Sequence, residues 1–76
     1  MRLEEEIFGN LACAEVIPHP KGYCTIKSWF VCKIGNKKPY RIHFETCSNE
    51  EAYEVLNIAF SNIKQEAHDF AEFNFN

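Results

Sequence analysis

The sequence predicts a small α+β domain in which a short antiparallel sheet is covered on one face by a long C-terminal helix. Apolar and polar side chains alternate between residues 23 and 47, where a turn-forming segment separates two runs. Apolar residues at helical spacing then continue from residue 49 to residue 71. With 76 residues, of which 46% are hydrophobic, the chain is long enough for one domain, residues 1–76, with a single core.

The N-terminal segment allows two interpretations. Four apolar residues there have helical spacing: Leu3, Ile7, Phe8 and Leu11. Because Gly9-Asn10 is typical of a helix end, we expect a short N-terminal helix and then a third strand over residues 11–17, ended by Pro18. The alternative is one helix from residue 2 to residue 16, since alanine favours strands only weakly. The sheet is therefore expected to have two or three strands.

The central segment predicts a β-hairpin over residues 23–47. Its strands cover residues 23–34 and 40–47, and the segment from Gly35 to Pro39 supplies the turn. Pairing Ile34 with Tyr40 sets the register and fixes which side chains share a face. The face toward the helix then includes Cys24, Phe30, Ile42 and Phe44, and the outer face carries Lys27, Trp29, Val31, Lys33, Arg41, His43 and Glu45.

The C-terminal helix is predicted from residue 49 to about residue 71. The segment from Ser48 to Glu51 fits a capping box, in which each of these two side chains accepts a hydrogen bond from the other residue's backbone N–H. Glu50, Glu51 and Glu54 place negative charge near the helix N-terminus, where the helix dipole favours it. One apolar stripe follows: Ala52, Leu56, Ala59, Phe60, Ile63, Ala67 and Phe70.

The four cysteines, at positions 13, 24, 32 and 47, are expected to be reduced thiols. The N-terminal segment MRLEEEIFGN does not have the basic end and apolar stretch of a signal peptide, so we expect a cytoplasmic protein. The alternative is a zinc site that combines cysteines with His19, His43 or His68. It is disfavoured because Cys24 and Cys32 would lie ~26 Å apart on one strand. We expect no metal and no cofactor.

Membrane proteins and enzymes find no support in the sequence. No apolar run approaches the ~18 residues that a membrane-spanning helix needs. The three glycines are isolated, so no glycine-rich phosphate-binding loop is present. His43 and Cys47 are ~13 Å apart on an extended strand, beyond the reach of a nucleophile and its base. We therefore do not expect an enzyme.

Positive charge is concentrated on the predicted hairpin. Six basic residues and no acidic residue fall between Lys21 and Arg41, although the net charge of the chain is −3. The predicted sheet thus has a basic outer face around Trp29, and the helix has an acidic outer face. The alternative is that Trp29 packs beneath the N-terminal segment and that the lysines only protect a strand edge and a turn. The candidate partner-binding residues are Lys27, Trp29, Lys33, Arg41, His43, Glu54, Glu66 and Asp69.

The first functional hypothesis is a non-enzymatic protein-binding module. It would act stoichiometrically as an inhibitor or adaptor of a host protein or nucleic-acid-binding complex, as small proteins of phages and mobile elements do. The acidic helix face would compete for surfaces that normally hold nucleic acid, because both present spaced negative charge.

The second hypothesis is nucleic-acid binding through the basic hairpin. Its phosphate-binding residues would be Lys27, Lys33, Lys37, Lys38 and Arg41. The order of elements, with the strand-to-helix transition FETCSNEEA from Phe44 to Ala52, resembles small DNA-binding domains that lay a sheet in the major groove, including the arm-binding domains of tyrosine recombinases. This resemblance implies DNA binding. The net charge of −3 and an isoelectric point near 5.5 favour the protein-binding module instead.

The aromatic C-terminus predicts a homodimer. Phe70, Phe73 and Phe75 fall near or past the end of the sheet that the helix covers. Two copies would bury these rings together, and oligomerisation commonly supplements the small core of so short a chain. The alternative is a monomer whose C-terminal tail packs on residues 3–8.

Overall fold

The computed structural model describes residues 1–32 and 38–75, with side chains described up to residue 73. In these residues, four antiparallel strands form one sheet in the order β1-β2-β3-β4, followed by one helix. The elements are β1 (Arg2–Ile7), β2 (Asn10–Pro18), β3 (Tyr23–Cys32), β4 (Pro39–Ser48) and α1 (Ala52–Phe75). The α+β class is confirmed, and the expected two or three strands are too few. The predicted strand end at Lys33 and Ile34 and most of the predicted turn, Gly35 to Lys37, lie outside the described residues.

The N-terminal helix was a wrong prediction, because residues 2–7 form strand β1. Phe8 and Gly9 connect β1 to β2, and their φ angles of 47° and 84° are both positive. Positive φ at both central residues is the property of the tight turns that join antiparallel strands. Leu3 and Ile7 pack toward α1 from this strand. A spacing of four residues puts side chains on one face of a helix and also on one face of a strand, so only the turn distinguished the two.

The third strand over residues 11–17 is confirmed as β2, which extends one residue further at each end. Although alanine favours strands only weakly, Ala12 and Ala14 suit this strand because they are fully buried and their small side chains let α1 pack closely against it. Asn10, also fully buried, donates a hydrogen bond from Nδ2 to the carbonyl oxygen of Ala67 at 3.0 Å. This bond ties the start of β2 to the helix.

The predicted register of the hairpin is wrong. Phe44 pairs with Lys27 and not with Phe30, whose partner is Tyr40. Between the pairs Ser28–His43 and Phe30–Tyr40, strand β4 contains one residue more than β3, which is a β-bulge. The predicted pairing differs from the observed one by an odd number of residues over most of β4. An odd shift exchanges the two faces of a strand.

The exchange of faces reverses the predicted environment of β4. Ile42 and Phe44, expected in the core, are 45% and 65% exposed. His43 and Glu45, expected on the outer face, are paired with Ser28 and Ile26 and therefore lie on the helix side of the sheet. The alternation of apolar residues favoured the predicted pairing of Phe30 with Phe44, because alternation alone does not reveal a bulge.

Trp29 does lie on the outer face of β3, but it is not the exposed centre of a basic face. It is covered in part by Arg2, in agreement with the alternative that it packs beneath the N-terminal segment. Only 7% of its surface is exposed. The Arg2 guanidinium carbon lies 5.1 Å from the centroid of the indole ring, and Lys27 Nζ lies 4.8 Å from it. Long side chains from the same sheet face therefore cover the ring, where the sequence suggested an open aromatic surface.

Helix α1 begins three residues later and ends four residues later than predicted. Ser48 accepts a hydrogen bond from the Glu51 N–H at 3.3 Å and donates one to the Glu51 carboxylate at 2.7 Å. This confirms the cap at Ser48. The Glu51 carboxylate, however, accepts its hydrogen bond from the Ser48 hydroxyl and not from the Ser48 backbone N–H that the capping box predicts. The predicted stripe faces β2 and β3, with Leu56, Ile63 and Ala67 fully buried. Within the described residues, no helix combines the length and hydropathy that crossing a membrane would require.

Candidate functional site

Strand β4 is an edge strand that the helix leaves largely uncovered. Its neighbour in the described sheet is β3, and α1 packs mainly over β2 and β3. Every residue from Arg41 to Thr46 is exposed. An edge strand presents a row of main-chain N–H and C=O groups that another strand can pair with. Both faces and the outer edge of β4 are thus accessible to a binding partner.

On the outer face of the sheet, an aromatic and cationic row runs from β1 to β4, and we call it the outer row. It consists of Arg2, Trp29, Lys27 and Phe44. Lys27 Nζ lies 4.8 Å from the centroid of Trp29 and 6.0 Å from that of Phe44, so one cation contacts both rings. Phe44 is the exposed end of this row, and Ile42 lies beside it on the same strand.

The outer row is not uniformly basic. Glu15 on β2 lies directly opposite Arg2 on one side and Lys27 on the other. Arg2 also forms an ion pair with Glu4, at 3.3 Å between Nε and Oε1. Acidic side chains therefore accompany both cations of the row.

On the other side of β4, two adjoining clefts of about 380 and 480 Å³ separate the strand from α1. Glu66 lines both clefts, and His43 Nε2 donates a hydrogen bond to Glu66 Oε2 at 2.8 Å. The first cleft is also lined by Ile26, Ser28, His43, Phe44, Glu45, Ala59 and Asn62. The second is also lined by Arg41, Asp69, Phe70 and Phe73. Charges of both signs thus lie beside apolar side chains in one groove, which we call the β4–α1 groove.

The bulge explains how Arg41 reaches this groove. Its φ of 52° lies in the left-handed region, which an arginine rarely adopts. A bulge bends the strand and changes the direction of its side chains. Arg41 therefore lines the same cleft as Glu66 and Asp69 from the helix.

The structure brings together four of the eight predicted partner-binding residues, Arg41, His43, Glu66 and Asp69, in the β4–α1 groove. Lys27 and Trp29 lie together in the outer row. Glu54 is exposed in the first turn of α1 and lines neither cleft. Among the predicted phosphate-binding lysines, Lys38 is exposed at the start of β4, whereas Lys33 and Lys37 lie outside the described residues. Ile42 and Phe44 are accessible residues of β4 that the sequence placed in the core.

One group of potential metal ligands occurs among the described residues, on the last turns of α1. Atoms of His68, Asp69 and Glu72 lie within 4.8 Å of one another. His68 Nδ1 is 3.7 Å from a carboxylate oxygen of each acid, and the Phe8 ring packs on the imidazole with centroids 5.3 Å apart. The His68–Glu72 spacing of four residues was a signal available in the sequence. Exposed acidic side chains on a helix commonly lie close together without a bound ion. This group is therefore not evidence for a metal site, and the expectation of no metal stays a prediction.

Two of the cysteines meet across β3 and β4. Cys24 and Cys47 are directly opposite each other, with their Sγ atoms 3.5 Å apart. Desolvation and the contact with the Cys24 thiol raise the pKa of the Cys47 thiol to about 11. Burial likewise raises the pKa of the Cys13 thiol. The sequence did not predict the Cys24–Cys47 pair, because the expected register placed these residues on opposite faces.

Comparison with models of protein families gives no match, and neither curated proteins nor solved structures give a significant one. The resemblance to sheet-type DNA-binding domains rested on three strands backed by one helix, whereas the described sheet has four strands.

Proposed function

We propose that this chain is a non-enzymatic, stoichiometric protein-binding module that holds an extended segment of a partner protein against strand β4. The observation that carries the proposal is the exposure of β4 on both faces, with Phe44 65% exposed at the end of the outer row. Adding a strand to an exposed sheet edge is a common way to recognise an extended segment: main-chain hydrogen bonds supply affinity, and side-chain contacts supply specificity.

The surroundings of β4 suggest the character of this segment. Successive side chains of a strand point to opposite faces, so every second side chain of an added strand would lie beside the outer row. An apolar side chain there would contact Phe44 and Ile42. The alternate side chains would lie along the β4–α1 groove, where Arg41 attracts acidic side chains and Glu66 and Asp69 attract basic ones. The partner segment would therefore alternate apolar and charged residues.

The two ends of β4 differ in how well they can pair. Pro39 has no N–H to donate, and the bulge at Arg41 interrupts the regular strand. Natural sheets use both devices to protect an edge from unwanted pairing. From His43 to Ser48 the strand is regular, with continuous pairing to β3 on its inner side. We therefore assign the main-chain hydrogen bonds with the partner to residues 43–48, whereas Arg41 and Ile42 contribute side-chain contacts only.

The proposal extends to the biological class that size and charge suggest, a small inhibitor or adaptor of the kind that phages and mobile elements encode. Occupying a partner's surface in this way needs no catalytic group. The acidic side chain of Glu54 on α1 would provide a second contact to a basic partner. A cytoplasmic location belongs to the same proposal, because it would keep the four thiols reduced.

Nucleic-acid binding by the outer row has less support. Base stacking needs a free aromatic face, but Arg2 and Lys27 lie against the Trp29 ring. Glu15, opposite both cations, would repel a phosphate. The hypothesis keeps a role only for basic residues outside the row, such as Lys38 and Arg41.

Affinity capture from the native host, with and without nuclease, tests the proposal when it is combined with two matched variants. Phe44→Ser removes an exposed ring from β4, and Tyr53→Ser removes a ring of similar exposure, 68%, from α1. A protein partner should survive nuclease and lose affinity about 10-fold or more with Phe44→Ser, the scale of an aromatic hot spot. Tyr53→Ser should bind as the wild type does. Equal losses in both variants, or capture that disappears with nuclease, would contradict the proposal.

A further inference from the structure

The Cys24–Cys47 pair has the geometry of a cross-strand disulfide that has not closed. Directly opposite residues of an antiparallel pair have Cα atoms roughly 4.5–5.5 Å apart, within the range of about 4.4–6.8 Å found for disulfides. Both side chains lie on the helix side of the sheet, and their sulfur atoms are 3.5 Å apart. Closing the bond requires the sulfur atoms to approach by only ~1.5 Å. Small side-chain rotations suffice for this.

The register separates this pair from the other two cysteines. Cys13 lies opposite Trp29 on one side and Glu4 on the other, and Cys32 lies opposite Asn10. Cys24 is 1% exposed, whereas Cys47 is partly exposed on the edge strand. An oxidant can therefore reach Cys47 first, with Cys24 held beside it as the resolving thiol.

We propose that Cys24 and Cys47 form a redox-sensitive dithiol that closes to a disulfide on reaction with a low-molecular-weight disulfide such as oxidised glutathione. The Cys47 thiolate attacks one glutathione sulfur, which gives a mixed disulfide and releases one glutathione thiolate. The Cys24 thiolate then attacks the Cys47 sulfur and releases the second glutathione. One oxidised glutathione is reduced to two thiols while the protein dithiol loses two hydrogens, so the electrons balance.

The bond would fix the edge strand at the point where it leads into the helix. Cys47 packs against the core cluster that contains Leu56 and Ile26. It directly precedes Ser48, which caps the helix, and lies five residues before the helix start at Ala52. Closure would join residues 24 and 47 and so restrict the unfolded chain over the whole hairpin. For a loop of this length in a small domain, we expect the melting temperature to rise by roughly 10–20 °C. This inference does not depend on the proposed function of β4.

The test is to incubate the full chain overnight with excess oxidised glutathione at about pH 9, because the raised pKa of the Cys47 thiol leaves very little thiolate at lower pH. The reaction is then quenched with acid, and the intact mass and the disulfide-linked peptides are measured. The expected product is lighter by two hydrogens, carries no glutathione, and contains a linked peptide pair with Cys24 and Cys47. Reductant should reverse both the mass change and the rise in melting temperature. The Cys13→Ser/Cys32→Ser variant should form the same bond, whereas Cys47→Ser should not.

Two results would overturn the proposal. One is a wild-type chain, shown to be folded by circular dichroism, that keeps a stable glutathione adduct on Cys47 or stays fully reduced. The other is a linkage that involves Cys13 or Cys32. Because the wild-type chain itself is the main sample, the outcome does not depend on whether a cysteine variant folds.

Discussion

Replacing Phe44 with serine should change the stability of the protein little, although this position is a phenylalanine in the middle of a strand. Full burial of a phenylalanine side chain contributes roughly 1.5–3 kcal/mol. Phe44 is 65% exposed, so about one third of that amount is at stake, or ~0.5–1 kcal/mol. The Lys27 ammonium, 6.0 Å from the ring, adds about 0.5 kcal/mol at an exposed site. We therefore expect a loss of about 1–1.5 kcal/mol.

The matched comparison is Phe30→Ala, at a ring that is fully buried between Ala12, Ile63 and Ala67. Truncation of a core phenylalanine costs about 3–5 kcal/mol, which approaches the whole stability of a domain this small. Urea unfolding followed by far-ultraviolet circular dichroism should give a clear transition for Phe44→Ser. For Phe30→Ala, the transition should shift to very low urea or disappear.

This pair of variants tests the register as well as the exposure. In the register predicted from the sequence, Phe30 and Phe44 are core partners, and the two variants would destabilise the protein by similar amounts. In the bulged register they lie on opposite faces of the sheet. A loss above ~3 kcal/mol for Phe44→Ser would refute the bulged register and, with it, the exposed outer row on which the proposed function depends.

Four further predictions follow from burial and exposure. Trp29→Ala should lower the free energy of unfolding by about 3 kcal/mol or more in urea titrations, because 93% of the residue is covered. A loss below ~1 kcal/mol would show that Arg2 and Lys27 do not keep the indole ring buried. In the Cys13→Ser/Cys32→Ser variant, alkylation of Cys47 should rise up to about pH 11, because its pKa is raised from 9.0 to about 11; a plateau by pH 9 would contradict this. Since the unfolded thiol ionises first, the same shift predicts stability that is intact below about pH 9 and falls between pH 9 and pH 11. Light scattering at ~100 µM should give the mass of two chains for the wild type. The Phe73→Ser variant should give the mass of one chain, because Phe73 is 89% exposed in the wild type and would supply the contact. A single-chain mass for the wild type would exclude the dimer.

The structure refines the residues assigned to this dimer. Phe70 is partly buried and packs on Phe30 and Tyr40, with ring centroids 5.3 and 5.4 Å away. It therefore completes the core of one chain and contributes little to a second copy. Phe73 is the exposed ring, and the side chain of Phe75 lies outside the described residues.

Local signals in the sequence predicted much of the fold. The helix was recognisable because the cap at Ser48 and the apolar stripe each mark it independently. Strands β3 and β4 were recognisable because alternation extends over many residues on both sides of a segment with turn-forming residues. Strand β1 was missed because Leu3 and Ile7 are equally compatible with helix and strand, and Phe8 is an unusual residue for the left-handed conformation that closes the β1–β2 turn.

The candidate site could be predicted only in part, because it depends on pairing between distant residues. Arg41 and His43 were assigned to a basic sheet face, and Glu66 and Asp69 to a separate acidic helix face. The bulge places all four in one groove, where opposite charges meet. No local pattern reveals a bulge at Arg41, since arginine is not a residue that a positive φ favours.

The two edges of the sheet differ in a way that favours β4 as the binding edge. Strand β1 carries three consecutive glutamates, Glu4 to Glu6, and packs Leu3 and Ile7 against the core. A run of like charges on an edge repels another strand of the same charge, which is how natural sheets prevent unwanted pairing. Residues 43–48 of β4 have no such run, because His43 and Glu45 flank Phe44. If pairing with any strand were harmful to this protein, both edges would need protection. Only β1 and the first residues of β4 have such protection. Residues 43–48 lack it, and selection for binding a partner best explains why they expose the Phe44 ring.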